Sequence, residues 1–185
     1  MRHLLQVAAN VNVLPLHNAI LRNASLWNRY PERTTGPHTD IDDIWVRCNS
    51  RRNFDKKAPE KFMAEHDSVW YPEYHDLKMV DELIFPLMAS VRADRLGGVL
   101  ITRVPAGKEV KPHVDGNWHA NYYDKYAIQV AAHPDQKWCN DDGEFVSKPG
   151  DVYWFNNQAT HWVTNTSPVD RITLIVCLHH SKSTK

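Results

Sequence analysis

The sequence predicts a mainly β chain with helices near its N-terminus, an α+β arrangement whose C-terminal half forms a sandwich or jelly roll. Two observations carry this. From Gly98 onward, short apolar or aromatic runs recur at even spacing: VLITRV, the segment around His113, KYAIQVAA, DVYWFNN, HWVTN and RITLIVCL. Turn residues separate them at Pro105–Gly107, Asp115–Asn117, His133–Gln136, Asn140–Gly143 and Pro149–Gly150. Many short strands divided by turns are the signature of a sandwich or jelly roll. Before Gly98 the strongest periodicity is helical.

Taken in order, residues 3–14 alternate loosely and read as a strand. Residues 16–29 read as a short helix with Leu16, Ile20, Leu21 and Trp27 near one side. Residues 41–48 (IDDIWVRC) read as a strand, and 49–72 as polar and irregular. Residues 77–93 give the clearest helix, with Leu77, Val80, Ile84, Leu87 and Val91 in an apolar stripe. Asp76 reads as its N-cap, Pro86 as a kink and Gly97–Gly98 as its end. The expected organisation is a single domain over 1–185: a helical and irregular support region (1–97), a jelly-roll core (98–179) and a disordered tail (180–185).

With 42% hydrophobic and 24% charged residues, the composition is that of a soluble globular protein. The formal net charge is zero, so nothing argues for nucleic acid or an anionic membrane as partner. Cys48, Cys139 and Cys177 have neither zinc-site nor disulfide-framework spacing, and reduced thiols point to a cytoplasmic setting. The N-terminal stretch lacks a clear cleavage site and is not read as a signal peptide. No apolar run reaches membrane-spanning length.

The chemistry lies in KPHVDGNW and NNQATHWVTN. His113 and Asp115 stand at i and i+2, which on an extended strand share a face. A third ligand, His161, comes from a separate strand. Two imidazoles and one carboxylate form the facial ligand set of a non-haem Fe(II) oxygenase. The short motif alone is weak, because this chain holds 11 histidines and the pattern also occurs at His38/Asp40 and His133/Asp135. His38 sits in a turn-rich stretch and Pro134 interrupts the third pair. His113 alone is followed by a Pro-Gly turn, an aromatic strand, His161 and a strand opened by Arg171.

This pattern resembles the Fe(II)- and 2-oxoglutarate-dependent dioxygenases with a double-stranded β-helix (cupin-like jelly-roll) core. Within them it looks like the aspartyl/asparaginyl β-hydroxylase branch. LITRVPAGKEVKPHVD and KPGDVYWFNNQATHWVTNTSPVDRITLIV carry the resemblance, which runs from about Leu100 to His179. It implies that His113, Asp115 and His161 hold Fe(II), and that Arg171 pairs with the distal carboxylate of 2-oxoglutarate, as a guanidinium fork suits. It places a carboxylate-binding hydroxyl at Thr102. The family's Arg-x-His stands here as Lys125-Tyr126-Ala127, which keeps a positive charge at Lys125 for the co-substrate and loses a hydrogen-bonding residue. The animal enzyme that names the branch lacks the carboxylate ligand, so Asp115 favours the bacterial and phage-like members. The implied reaction consumes O2 and 2-oxoglutarate, releases succinate and CO2, and hydroxylates a C–H bond. The substrate is expected to be an amino acid, a peptide or protein side chain, or another small metabolite.

Two other classes compete: a cupin-type hydrolase or isomerase using another metal, which has no need of Arg171, and a non-enzymatic cupin-like binding module. Trp118, Tyr122, Tyr123, Tyr126, Trp154 and Trp162 lie near the ligands in sequence. Trp154 reads as core, and Trp118 and Tyr122 equally as pocket or core. His119 reads as a solvated loop residue, His179 and His180 as surface residues, and Arg33 and Arg47 as surface arginines by default.

Overall fold

The computed structural model describes residues 3–30 and 36–181. The expected tail beyond Ser181 and Arg33 lie outside the described residues. Among the described residues, eleven strands and three α-helices follow one another. They are β1 (Leu4–Ala8), α1 (Leu14–Arg22), β2 (Asp42–Asn49), β3 (Ser68–Trp70), α2 (Asp81–Val91), β4 (Arg95–Val104) and β5 (Glu109–His113). After them come α3 (Trp118–Tyr122), β6 (Asp124–Ala131), β7 (Gln136–Asn140), β8 (Gly143–Phe145), β9 (Val152–Phe155), β10 (His161–Asn165) and β11 (Arg171–His179). Among the described residues they form a seven-stranded sheet, β1-β9-β6-β11-β4-β2-β3, and a four-stranded sheet, β5-β10-β7-β8. All pairings are antiparallel. The sheets face each other across a small apolar cluster that includes Val104, Ala127 and Phe155 from the larger and Val110, Trp138 and Val163 from the smaller. This is a double-stranded β-helix, as the sequence predicts.

The larger sheet is buried on both faces, so its central strands read as continuous apolar runs. On the outer face Ile44, Val99, Ile101, Ile128, Leu174 and Val176 pack under α1 and α2, against Leu16, Ile20, Ile84 and Leu87. On the inner face, β11 presents Arg171, Thr173, Ile175 and Cys177 at alternate positions.

Several expectations change. The strand expected over 3–14 ends at Ala8. The helix expected over 16–29 stops at Arg22, where the Asn23 side chain and backbone N–H both bond back to Ala19 O, and Leu21 faces solvent. The later helix begins at Asp81 rather than after Asp76, with a 3-10 turn before it. It ends at Arg92 in the left-handed conformation, not at Gly97–Gly98, which lie inside β4. Gly97 is there for packing, because a Cβ would stand 2.7 Å from the Tyr123 ring. The β7–β8 hairpin and α3 carried no sequence expectation. The 1–97 region is more than a helical support: β1, β2 and β3 are three of the seven strands in the larger sheet, and β2 pairs directly with β4.

Candidate metal centre

His113, Asp115 and His161 meet between the sheets, with donor atoms all within 4.8 Å of one another. His113 is the last residue of β5 and His161 the first of β10, and the two are direct cross-strand partners. Their ring centroids are 4.3 Å apart. Asp115 lies beyond the end of β5, so strand alternation alone does not aim it. Its backbone N–H donates to Asn157 O at 2.9 Å, tying it to the turn before β10.

Carbonyls orient both imidazoles. His113 Nδ1 is 2.8 Å from Lys111 O, and His161 Nδ1 is 3.0 Å from Ala159 O. A carbonyl only accepts, so in the neutral rings hydrogen sits on Nδ1 and each Nε2 carries a lone pair. Those Nε2 atoms lie 3.7 Å (His113) and 3.9 Å (His161) from the Asp115 oxygens. Burial pushes His161 down to about 4, against the pull of Asp115. Burial opposes ionisation of Asp115, yet Lys125 and the two histidines outweigh it and hold the carboxyl well below the usual carboxylate range. Two lone pairs and an ionised carboxylate converging on one point are a fitting donor set for a divalent cation.

Lys125 Nζ stands 2.5 Å from Asp115 Oδ2. The family resemblance assigns this charge to the keto-acid co-substrate; in the fold its direct partner is the carboxylate of the triad.

Arg171 lines the same cavity, of about 60 Å³, together with Thr102, Lys125 and the triad. It is 4% exposed. Its Nη1 donates to Thr173 Oγ1 at 2.7 Å and its Nη2 to Ser147 Oγ at 3.2 Å, while its Nε has no hydrogen-bond partner. Ser147 Oγ in turn donates to Gln129 Oε1 at 2.8 Å. Burial lowers the guanidinium to about 10, and no carboxylate among the described residues pairs with it. A buried cation with neutral neighbours and an orphaned N–H calls for an anion in the cavity. Thr102 Oγ1 donates to Thr173 O at 3.4 Å from the neighbouring strand.

Other residues fall differently from expectation. His38, set aside as part of a turn, lines the cavity, with its ring 4.7 Å from that of His113. Trp138, on the unforeseen hairpin, lies parallel to the His161 ring at 5.7 Å, and Phe155 closes the same wall. A turn-rich context hides His38, and a strand flanked by two turns hides Trp138. His119 is not solvated: it is buried and accepts from Gly98 N at 3.2 Å. Trp118 and Tyr122 stack on each other outside the cavity lining. Trp154 packs on the helix side of the larger sheet. His179 is tied to Asp94 and stacks on Tyr122. Arg47 is half-buried, donates to Gly97 O and covers Trp70. His133 stays in a turn with Asp135.

No family model matches the chain, and no curated protein matches it. Solved structures that share its fold include two with TM-scores above 0.5. An oxidoreductase of the 2OG-Fe(II) oxygenase family from Burkholderia pseudomallei is 16% identical, with a TM-score of 0.54 over 86% of this chain and 77% of that one. A prolyl-4-hydroxylase from Pseudomonas putida is 12% identical, with a TM-score of 0.53 over 97% of this chain and 94% of that one. At these identities the likeness is one of fold.

Proposed function

We propose that this chain is an Fe(II)- and 2-oxoglutarate-dependent dioxygenase that hydroxylates a C–H bond of a small molecule or of a peptide or protein side chain. The carrying observation is the conjunction in one cavity of a His-Asp-His donor set and a buried guanidinium with no carboxylate partner among the described residues. The two structural neighbours, an oxygenase and a prolyl hydroxylase by description, support the same reading. The residue pattern around His113 and His161 favours the aspartyl/asparaginyl β-hydroxylase-like branch. The metal chemistry of a cupin-type hydrolase or isomerase does not itself call for a second, carboxylate-binding cation, whereas a 2-oxoglutarate enzyme needs one, and Arg171 supplies it. The three buried thiols suit a cytoplasmic enzyme.

His113, Asp115 and His161 would hold the iron, which when bound supplies the oxygen-activating chemistry of the net reaction R–H + O2 + 2-oxoglutarate → R–OH + succinate + CO2. Arg171 receives the distal carboxylate, and its orphaned Nε–H is a donor already desolvated for the purpose. Ser147 and Gln129 hold the guanidinium from behind. Thr102 offers a hydroxyl beside it. Lys125 fixes one oxygen of Asp115 and so limits how that carboxylate can turn. Trp138, Phe155, Val110 and Val163 exclude water from the donor set.

Anaerobic addition of Fe(II) and then 2-oxoglutarate should give a weak visible charge-transfer band. His161→Ala should abolish it. Arg171→Ala should weaken 2-oxoglutarate binding at least tenfold while iron still binds. Absence of the band from well-folded protein counts against the oxygenase; unchanged co-substrate affinity in Arg171→Ala removes that residue's role.

A further inference from the structure

The inner face of the larger sheet is divided into rows across its strands. Antiparallel partners in register share a face. One row, beside Arg171, runs Thr102, Thr173, Gln129 and is polar. The next, one pleat along, runs Trp45, Leu100, Ile175, Ala127 and is apolar. A second and larger cavity, about 340 Å³, lies over this apolar row. Its walls include Trp45, Phe54, Phe62, Met63, Leu100 and Ile175. His38, Asp115, Lys125 and Ile175 line both cavities, so the larger chamber adjoins the triad at Asp115.

The polar side chains lining this chamber are His38, Asp115, Asn117, His119 and Lys125. Among the described residues, the only carboxylate lining it is Asp115 and the only ammonium or guanidinium is Lys125, and these two are paired at 2.5 Å. His119 spends its Nε2 on Gly98 N–H, and Asn117 Oδ1 caps α3 by accepting from Ala120 N. A free amino acid brings an ammonium and a carboxylate, and each needs a partner once it leaves water. Among the described residues the chamber offers neither an unpaired carboxylate nor an unpaired ammonium or guanidinium. Its volume lies at the lower end of the range of about 300–1,000 Å³ typical of small-molecule pockets.

We propose that the acceptor group seated beside the triad is neutral and largely apolar, held in this chamber by Trp45, Leu100, Phe62 and Met63, and that it is not a charged amino-acid head group. This rests on the dioxygenase reading for its chemistry, with the acceptor carbon gaining the hydroxyl in the balanced reaction above. It does not rest on that reading for its binding.

Indole serves as a neutral bicyclic probe for the full chain, with binding read by saturation-transfer NMR. Indole should bind, and L-aspartate, L-asparagine and L-arginine should not. Leu100→Trp, on the sheet, and Met63→Trp, on the opposite wall, should each weaken indole at least tenfold with near-ultraviolet circular dichroism retained. A wild-type crystal soaked with 5-bromoindole needs no variant and should place the bromine between Trp45 and Leu100. Bromine found only elsewhere, indole affinity unchanged in both variants, or preferential binding of a charged amino acid lost in those variants would each overturn the proposal. Because the probe is read without metal or 2-oxoglutarate, its failure is distinct from failure of the charge-transfer band. Under turnover, succinate formation stimulated by free neutral aromatics assigns the chamber to a small molecule. Stimulation by phenylalanyl or leucyl peptides assigns it to a side chain of the same chemistry.

Discussion

His119 packs its ring nearly parallel to that of His66, with centroids 5.5 Å apart, and accepts a hydrogen bond from Gly98 N–H. Burial lowers it to about 3, with Lys125 and His66 pushing the same way. The folded ring therefore stays neutral well below the ordinary histidine value of 6.5. The unfolded chain takes up the proton first, so it binds more protons as pH falls from about 6.5 toward 3, and stability is lost across that window. One such proton contributes a slope of up to about 1.4 kcal/mol per pH unit. His66 is shifted the same way, also chiefly by burial, and adds to the slope. Urea midpoints measured from pH 7 to pH 4 should fall steadily. His119→Gln, which keeps an acceptor for Gly98 N–H, should flatten the fall; an unchanged slope would mean the proton is taken up elsewhere.

Among the elements, α2 carries a local strain that can be relieved. Its C-cap, Arg92, adopts φ 56 and ψ 40, the left-handed region that glycine tolerates best. The N–H of Ala93 still closes the helix by donating to Met88 O at 2.9 Å. The left-handed conformation costs a side-chain-bearing residue about 1–2 kcal/mol, and glycine gives part of that back as unfolded-state entropy. Arg92→Gly should therefore stabilise the protein by several tenths to about 1 kcal/mol in chemical denaturation, with the site untouched because α2 lies on the outer face. A destabilised variant would show that Arg92 makes a contribution beyond its backbone geometry. The strands that carry the site work differently: β5 and β10 hold their two histidines opposite each other by register, so a one-residue slip would separate them.

In the whole molecule, the C-terminal strands do not close on themselves. β1 covers the edge of β9, β2 pairs along β4, and α1 and α2 cover the outer face with Leu16, Ile20, Ile84 and Leu87. A chain beginning at Gly98 would expose that face and leave β4 and β9 as open edges. It should be aggregated or lack fixed tertiary structure, as read by size-exclusion chromatography and near-ultraviolet circular dichroism. A monomeric, cooperatively folded 98–185 fragment would restore the division between support region and core that the sequence suggests.

The sequence by itself determined the architecture and the donor set. Alternating and buried strands leave a period that survives in one dimension, and His113, Asp115, His161 and Arg171 sit in segments whose turns and apolar runs bracket them. Residues brought to the site by distant pairing left no such trace. His38 looks like any histidine in a turn, and Trp138 like an aromatic between turns. His119 reads as solvated because burial is a property of what packs over a residue. The exact limits of α1 and α2 depended on Asn23 and Arg92, where capping geometry overrides periodicity. Only the tertiary structure decided that Lys125 faces Asp115, that Arg171 is buried with no carboxylate partner among the described residues, and that an apolar row lies one pleat from a polar one. The rows depend on strand register across the larger sheet, which joins residues far apart in sequence, and the Lys125–Asp115 pair on how the segment after β5 folds over that sheet.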